Sequence, residues 1–422
     1  MKKIFVALSM GALLHATTIG ELFLHLKNHS QTKVDMQSIK QADIAQKMIL
    51  SKLYPKVDIF ASYDNYSDPT NLLPVTPKES ATFKDPSIAQ PFSDEIYRYG
   101  AKLSMPIFVK SLYTLAKKAK VLKSAAISKK RIDLLKNEAL IVGSDANLIY
   151  LEQLQKALDM KKRSLLVSKN HIKLKVDVGR APKIALYKID DAINKINITQ
   201  NQINMQKEKI KSVIKALTGV TLKRSVPIKK YKKLKKKDLG VLKPLKEKIK
   251  ASQLDLKSKK ESFYPSIALH GSYVHSDADA YNNGKDVSRD YSDIGVGVNM
   301  PLLNVSLMMD IQRSKVNLKK TKLEFEKQKD ELKAKADLLT KTLSLLKESL
   351  KYAKKNIDNK KRLLTVAKVD FDNQNITTEE YLRYEDDLVS AKANYYKIKA
   401  DIWQTLMELA VLYTNDIEEM VK

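Results

Sequence analysis

The chain has 422 residues, with 77 Lys and Arg against 48 Asp and Glu and a formal net charge of +29. It contains no cysteine, which excludes disulfides, thiolate metal sites and a lipid-bearing N-terminal cysteine. No stretch approaches the roughly 20 continuous apolar residues of a membrane helix, so a membrane form of this chain requires a closed β-barrel.

In chain order, the N-terminus reads as a secretory signal over residues 1–16. Lys2 and Lys3 precede the apolar run 4–14, and Leu14-His15-Ala16 supplies a cleavage site. Export removes nucleic acid from the partners that the positive charge would otherwise suggest.

Residues 21–52 carry a helical pattern that ends before Pro55. Residues 55–66 then alternate, with Val57, Ile59, Ala61 and Tyr63 on one face and Asp58, Ser62 and Asp64 on the other; Phe60 breaks the pattern. Residues 96–107 alternate more cleanly, with Tyr97, Tyr99, Ala101, Leu103, Met105 and Ile107 sharing a face. About ten residues of period-2 alternation is the signature of a membrane β-strand. The proline-rich segment 67–94 between them reads as a long exposed loop.

Residues 109–176 contain no proline and predict one helix of about 100 Å. Val178-Gly179-Arg180 and Pro182 end it, giving a turn over 177–182 and a return helix closed by Ala216-Leu217-Thr218-Gly219. The lysine-rich segment 220–243 reads as a solvated connector.

The whole pattern then recurs. Tyr54-Pro55 and Met105-Pro106 reappear as Tyr264-Pro265 and Met300-Pro301. The first repeat is 17–219 and the second 244–422, with strands predicted over 265–275 and 291–301 and a turn over 372–377. Leu332, Ala336, Leu339, Leu343, Leu346, Leu350, Ala353 and Ile357 alternate spacings of four and three, a coiled-coil heptad. Thr377 followed by Glu379 and Glu380 reads as an N-cap with an acidic first turn. Four strands cannot close a barrel, so a membrane form must pool several chains; three copies give twelve strands.

The ordered, duplicated motifs Tyr-Pro, Met-Pro and Val178-Gly179-Arg180 resemble the TolC-like outer-membrane efflux proteins over nearly the whole mature chain. The resemblance implies a mixed α and β fold: a homotrimer with a 12-stranded transmembrane β-barrel, four strands per chain, continuing into a long antiparallel coiled-coil α-helical tunnel across the periplasm. It implies an exit duct for efflux or type I secretion in the outer membrane, in contact with outer-membrane lipid. A periplasmic adaptor (membrane fusion) protein and an inner-membrane transporter would be its partners.

The same resemblance puts adaptor docking at two tips, Val178, Gly179 and Arg180 in the first turn and Asn373, Gln374 and Asn375 in the second. It places an acidic gate just after the second turn, where Glu380 fits one position and Arg383 stands where a second acid can occur; Glu379 adjoins Glu380 as a further gate candidate. A threefold ring of these carboxylates would select cations, and their crowding would raise some of their pKa values. Arg383 lies one turn after Glu380, where a salt bridge would neutralise or latch the ring. No catalytic constellation, cofactor motif or metal site is expected; His25 and His29, at i, i+4, read as a helix-surface pair. The competing expectation is a soluble exported coiled-coil protein such as an adaptor or spacer.

Overall fold

The computed structural model describes residues 18–236 and 238–422. The signal-like segment 1–16 lies outside the described residues. The strands are β1 (Lys56–Asn71), β2 (Phe92–Phe108), β3 (Ser266–Asp279) and β4 (Asp286–Asn299). The helices are α1 (Ile19–Asn28), α2 (Ser30–Ser51), α3 (Pro77–Ser80), α4 (Lys110–Asp177), α5 (Ile184–Thr218), α6 (Lys243–Glu261), α7 (Val305–Asp372), α8 (Thr378–Leu412) and α9 (Ile417–Met420). Two compact units result, one of residues 39–126 and 245–325, the other of residues up to 38, 127–244 and 326–422.

The first unit holds one antiparallel sheet in the order β1-β2-β3-β4, so β1 and β4 are both open edges. Register sorts the side chains into two faces. On one, Val57 and Ile59 stand opposite Leu103 and Ala101, Leu103 opposite Gly271, and Ile267 and Leu269 opposite Val298 and Val296. This face is apolar and bare: Ile59 is 87% exposed, Ile294 77% and Val298 68%. A soluble sheet would bury such a face.

The other face is polar. Arg98 donates to Asp64 at 2.7 Å, Lys56 to Asp58 at 2.8 Å, and Ser272 donates to Asp293. Phe60, which broke the alternation, lies on this face opposite Gly100 with Lys102 over its ring at 4.6 Å. Gly100 cannot carry a side chain, because a Cβ there would sit 2.0 Å from the Tyr273 carbonyl oxygen.

The strands run further than the alternation 55–66, 96–107, 265–275 and 291–301 indicated, except that β4 stops at Asn299, before Pro301. The segment expected as an exposed loop is in part folded. Leu72 and Leu73 are buried, and Thr76 and Glu79 form a capping box that starts α3. Two arginines tie this loop to the strands: Arg98 donates to the carbonyls of Leu72 and Asn71, and Arg289 to those of Leu73 and Pro74 and to Glu79 at 2.8 Å. In the same unit ion pairs join the helices, Lys118 to Asp255, Lys123 to Asp43 and Lys259 to Asp310, each at 2.6 Å.

The second unit is built on heptads. Leu151, Leu158, Leu165 and Ile172 of α4 form one buried seam, packed with Ile189, Ile196 and Ile203 of α5. In α7 the buried residues Ala336, Leu343 and Ala353 fall on the expected heptad, and the intervening members are all at least half-buried. A second apolar seam lies two residues, about 200° around the helix, from the first. It comprises Met160, Val167 and Leu174 on α4, Ile198 and Met205 on α5, and Leu338, Leu345, Tyr352 and Val366 on α7, all exposed.

The helix expected over 21–52 is broken at His29. Its backbone is extended there (φ −76°, ψ 160°), and the Thr32 hydroxyl donates to the Leu26 carbonyl at 2.8 Å, ending α1 and starting α2. That capping is local, so the apolar periodicity continues across it undisturbed.

Candidate functional site at the paired helix turns

The turns α4–α5 and α7–α8 close in the same way. In the first, Gly179 adopts φ +72°, its N–H donates to the Val176 carbonyl, and the Arg180 N–H reaches back to Lys175 at 2.7 Å. In the second, Gln374 adopts φ +65°, its N–H donates to Phe371, and the Asn375 N–H reaches Asp370 at 2.8 Å. Both are Schellman closures of a helix C-terminus. The left-handed residue of the second turn is thus Gln374 and not one of the flanking asparagines, which tolerate that conformation better.

The helices that follow start differently. At α8 the Thr377 hydroxyl accepts from the Glu380 N–H at 3.2 Å, while the Glu380 carboxylate accepts from the Thr377 N–H at 2.8 Å and its hydroxyl at 3.0 Å. This reciprocal box satisfies donors that helix geometry leaves orphaned. At α5 Pro182 falls just outside the helix, its carbonyl accepting from Ala185, and Lys183 makes no side-chain cap.

The two turns share a cleft of 390 Å³, lined by Arg180 and Lys188 from one side and Gln374 and Glu379 from the other. Several contacts join the hairpins there. Lys188 donates to Glu379 at 2.9 Å, Lys175 to the Asp372 carbonyl at 3.2 Å, and Lys161 pairs with Asp386. Tyr381 is fully buried, stacks on Phe371 with ring centroids 4.5 Å apart, and donates to Glu385 at 2.8 Å. Ser164 of α4 donates to the same carboxylate at 2.7 Å. Burial pushes the Tyr381 phenol up to about 12, so it remains a donor.

The expected gate residues lie together within one chain. Glu379, Glu380 and Arg383 line one 550 Å³ pocket with Thr377, Leu382 and Asp386. Within the single chain both carboxyls lie below the usual range, Glu379 through its bond from Lys188 and Glu380 through the Thr377 N–H. Among the described residues Arg383 forms no ion pair with Glu380, whose carboxylate is committed to its cap. Asp386 and Asp387 pair with helix lysines, Asp387 with Lys360 at 2.7 Å.

Val178 and Asn373 lie in the turns themselves. The sequence reading missed Lys161, Lys175, Lys188, Tyr381 and Glu385. Their one local signal is the i, i+4 pairing of Tyr381 with Glu385; the other partners lie in distant parts of the chain. His25 lies in the last turn of α1 and His29 caps it. Among the described residues no group of three His, Asp or Glu is arranged to hold a metal ion.

No protein-family model matches the sequence, and no curated protein matches it. Solved structures do. The CmeC outer-membrane channel of Campylobacter jejuni superposes with a TM-score of 0.75 at 16% identity, covering 96% of this chain and 90% of that one. VceC, an outer-membrane protein of Vibrio cholerae, gives 0.75 at 12% identity, covering 94% and 95%. The open state of the MtrE outer-membrane channel of Neisseria gonorrhoeae gives 0.72 at 10% identity, covering 94% and 88%. The likeness read from the Tyr-Pro and Met-Pro motifs is therefore a likeness of structure along nearly the whole chain, which has the fold of bacterial outer-membrane channels.

Proposed function

We propose that the protein is the outer-membrane exit duct of a tripartite efflux or type I secretion system, formed by three copies of the chain. The observation that carries this reading is the sheet: one bare apolar face, one polar face, and two unpaired edges. Lipid tolerates no open edge, and strands alternating in direction let β4 of one copy pair antiparallel with β1 of the next. Three copies close at twelve strands, apolar face to lipid and polar face to the pore. Tyr54 and Tyr264 border the apolar band at one end and Tyr63, Tyr97, Tyr99 and Tyr273 at the other, separated by roughly 25 Å of tilted strand, the height of a barrel's lipid-facing band between its aromatic girdles.

The exposed second seams support the same assembly. In a closed cylinder of helices each helix meets a neighbour on two opposite sides, so it needs two apolar stripes. In one chain the second stripe of α4, α5 and α7 is bare. The adaptor would dock on the turns around Gly179 and Gln374. The gate would be the cleft between hairpins, held shut by Lys188–Glu379, Lys161–Asp386 and the Tyr381–Glu385–Ser164 cluster, with Glu380 and Arg383 at its mouth. A periplasmic adaptor and an inner-membrane transporter would supply docking and energy.

The test is direct. Membranes are fractionated, the protein is purified in detergent, its SDS resistance as a trimer is read on a gel, and its conductance is measured in planar bilayers. The reading requires outer-membrane location, a heat-modifiable trimer and a cation-selective pore. A soluble monomer without conductance overturns it. For the gate, Lys188→Gln should raise open probability and Glu380→Ala should change conductance or its pH dependence; unchanged traces for both refute the assignment.

A further inference from the structure

The connector between α5 and α6 is a fixed, one-signed rib. No Asp or Glu occurs between Glu208 and Asp238, and Lys223, Arg224, Lys229, Lys230, Lys232, Lys233, Lys235 and Lys236 are all exposed. Beneath them the chain is fastened. Leu222 and Val226 are buried in the core of this unit, and the Val226 N–H donates to Asp145 at 2.9 Å. The Ser225 N–H and hydroxyl both donate to Glu152, at 2.7 and 2.6 Å. Lys229 and Lys422 exchange backbone bonds of 2.7 and 3.0 Å, and the Tyr231 N–H donates to Met420 at 2.9 Å. Asn415 clasps both backbone groups of Lys235 at 3.0 Å.

The anchors satisfy the backbone and leave the ammonium groups outward. Among the described residues only one of these side chains, Lys232, meets a carboxylate, Glu419 at 3.0 Å. Lys347 of α7 adds another positive charge beside Lys230. Partial desolvation, and after it the charges of Lys347 and Lys233, hold the Lys230 ammonium below the usual lysine range. An opposite charge arriving from outside would offset the mutual repulsion of Lys230, Lys233 and Lys347.

We propose that this rib is a docking surface for the cell-wall peptidoglycan, an acidic polymer whose peptide stems carry dispersed carboxylates. The inference rests on the exit-duct reading, which places the chain where that polymer lies. Seven of the eight cations are lysine. Ammonium groups act as point charges with rotatable donors, so they can meet carboxylates scattered along a polymer without the fixed planar geometry that arginine imposes. The rigid backbone means that binding orders only side chains, so less entropy opposes it.

The test is co-sedimentation of the purified full-length protein with isolated peptidoglycan sacculi across a salt series. Wild type should sediment at low salt and be released as sodium chloride rises. Replacing Lys229, Lys230, Lys232, Lys233, Lys235 and Lys236 by Gln should weaken capture about tenfold or more. Replacing six exposed α7 lysines (Lys315, Lys319, Lys322, Lys333, Lys351 and Lys354) by Gln should change it less than about twofold, since the net charge removed is the same but the place differs. Sacculi with amidated carboxylates should capture wild type poorly. No salt-sensitive sedimentation, equal loss in the two variants, or undiminished capture by amidated sacculi each overturns the proposal. Trimer formation and conductance are read on every sample, and a triple variant of Lys232, Lys233 and Lys235 serves if the sixfold one misfolds. A conducting trimer that ignores sacculi overturns this inference alone; a chain that forms neither trimer nor pore overturns the exit-duct reading.

Discussion

The carboxylates of the second hairpin turn and those beneath the basic connector behave in opposite ways. At the turn, Glu379 and Glu380 are at the surface, each bonded to a donor that prefers the charged form, and both lie below the usual range. In α4, Asp145 beneath the connector and Glu138 beside Lys27 and Glu418 are buried, and burial pushes them up to about 7 and about 8. Asp145 has one backbone donor and a second oxygen with no partner. Around Glu138 stand Lys27, Glu418 and Asp416, two acids to one base. The same residue type thus caps and latches a helix where donors are preorganised, and becomes a proton-sensitive seat where they are scarce.

Removing the packing that preorganises the turn should have the largest effect. Tyr381→Ala deletes a fully buried ring, its stack on Phe371 and a donor to buried Glu385, and should cost about 3–5 kcal/mol of local stability. Hydrogen exchange of the α7–α8 turn reads it, and unchanged protection would show that the cluster holds nothing together. The connector seat should respond to pH in the reverse sense from the turn. Raised folded-state values mean that the stability these groups contribute is fully present below the unfolded carboxyl range. It is lost as pH rises through about 7 for Asp145 and about 8 for Glu138. Each titrating group contributes a slope of up to about 1.4 kcal/mol per pH unit. Asp145→Asn should flatten that slope while keeping the Val226 bond; an unaltered pH profile of thermal melting would remove Asp145 from the account.

Smaller changes bear on the two helix starts. Thr377→Ala removes the hydroxyl's two bonds with Glu380, leaves the backbone half of the capping box, and should cost about 1 kcal/mol. Lys183→Ala, at a start with no side-chain cap, should be near neutral by the same exchange measurement. Gln374→Gly should stabilise the second turn by about 1 kcal/mol, since glycine carries no penalty at φ +65°. If it destabilises the turn, the left-handed assignment fails. An adaptor docking here as proposed would be sensitive to the same change only if it reads the Gln374 side chain.

Much of this was legible along the chain. Heptad spacing in α7 located its buried seam, period-2 runs located the four strands, and Thr377 with Glu380 announced a cap, because each is a local pattern of a few residues. The break at His29 was not legible, since a backbone kink need not disturb apolar periodicity. Nor was the folded loop after β1, which Arg98 and Arg289 hold by reaching carbonyls remote in sequence. The same limit hid Lys188 from Glu379 and Ser164 from Glu385.

By itself, then, the sequence determined periods, turn positions and the sign of the charge, all properties of neighbours along the chain. Tertiary structure alone decided which seam is covered and which left bare, and which glutamates are caps, latches or buried acids. Those depend on donors and surfaces brought in from far along the chain, 81 residues for Asp145 and Val226 and 221 for Ser164 and Glu385.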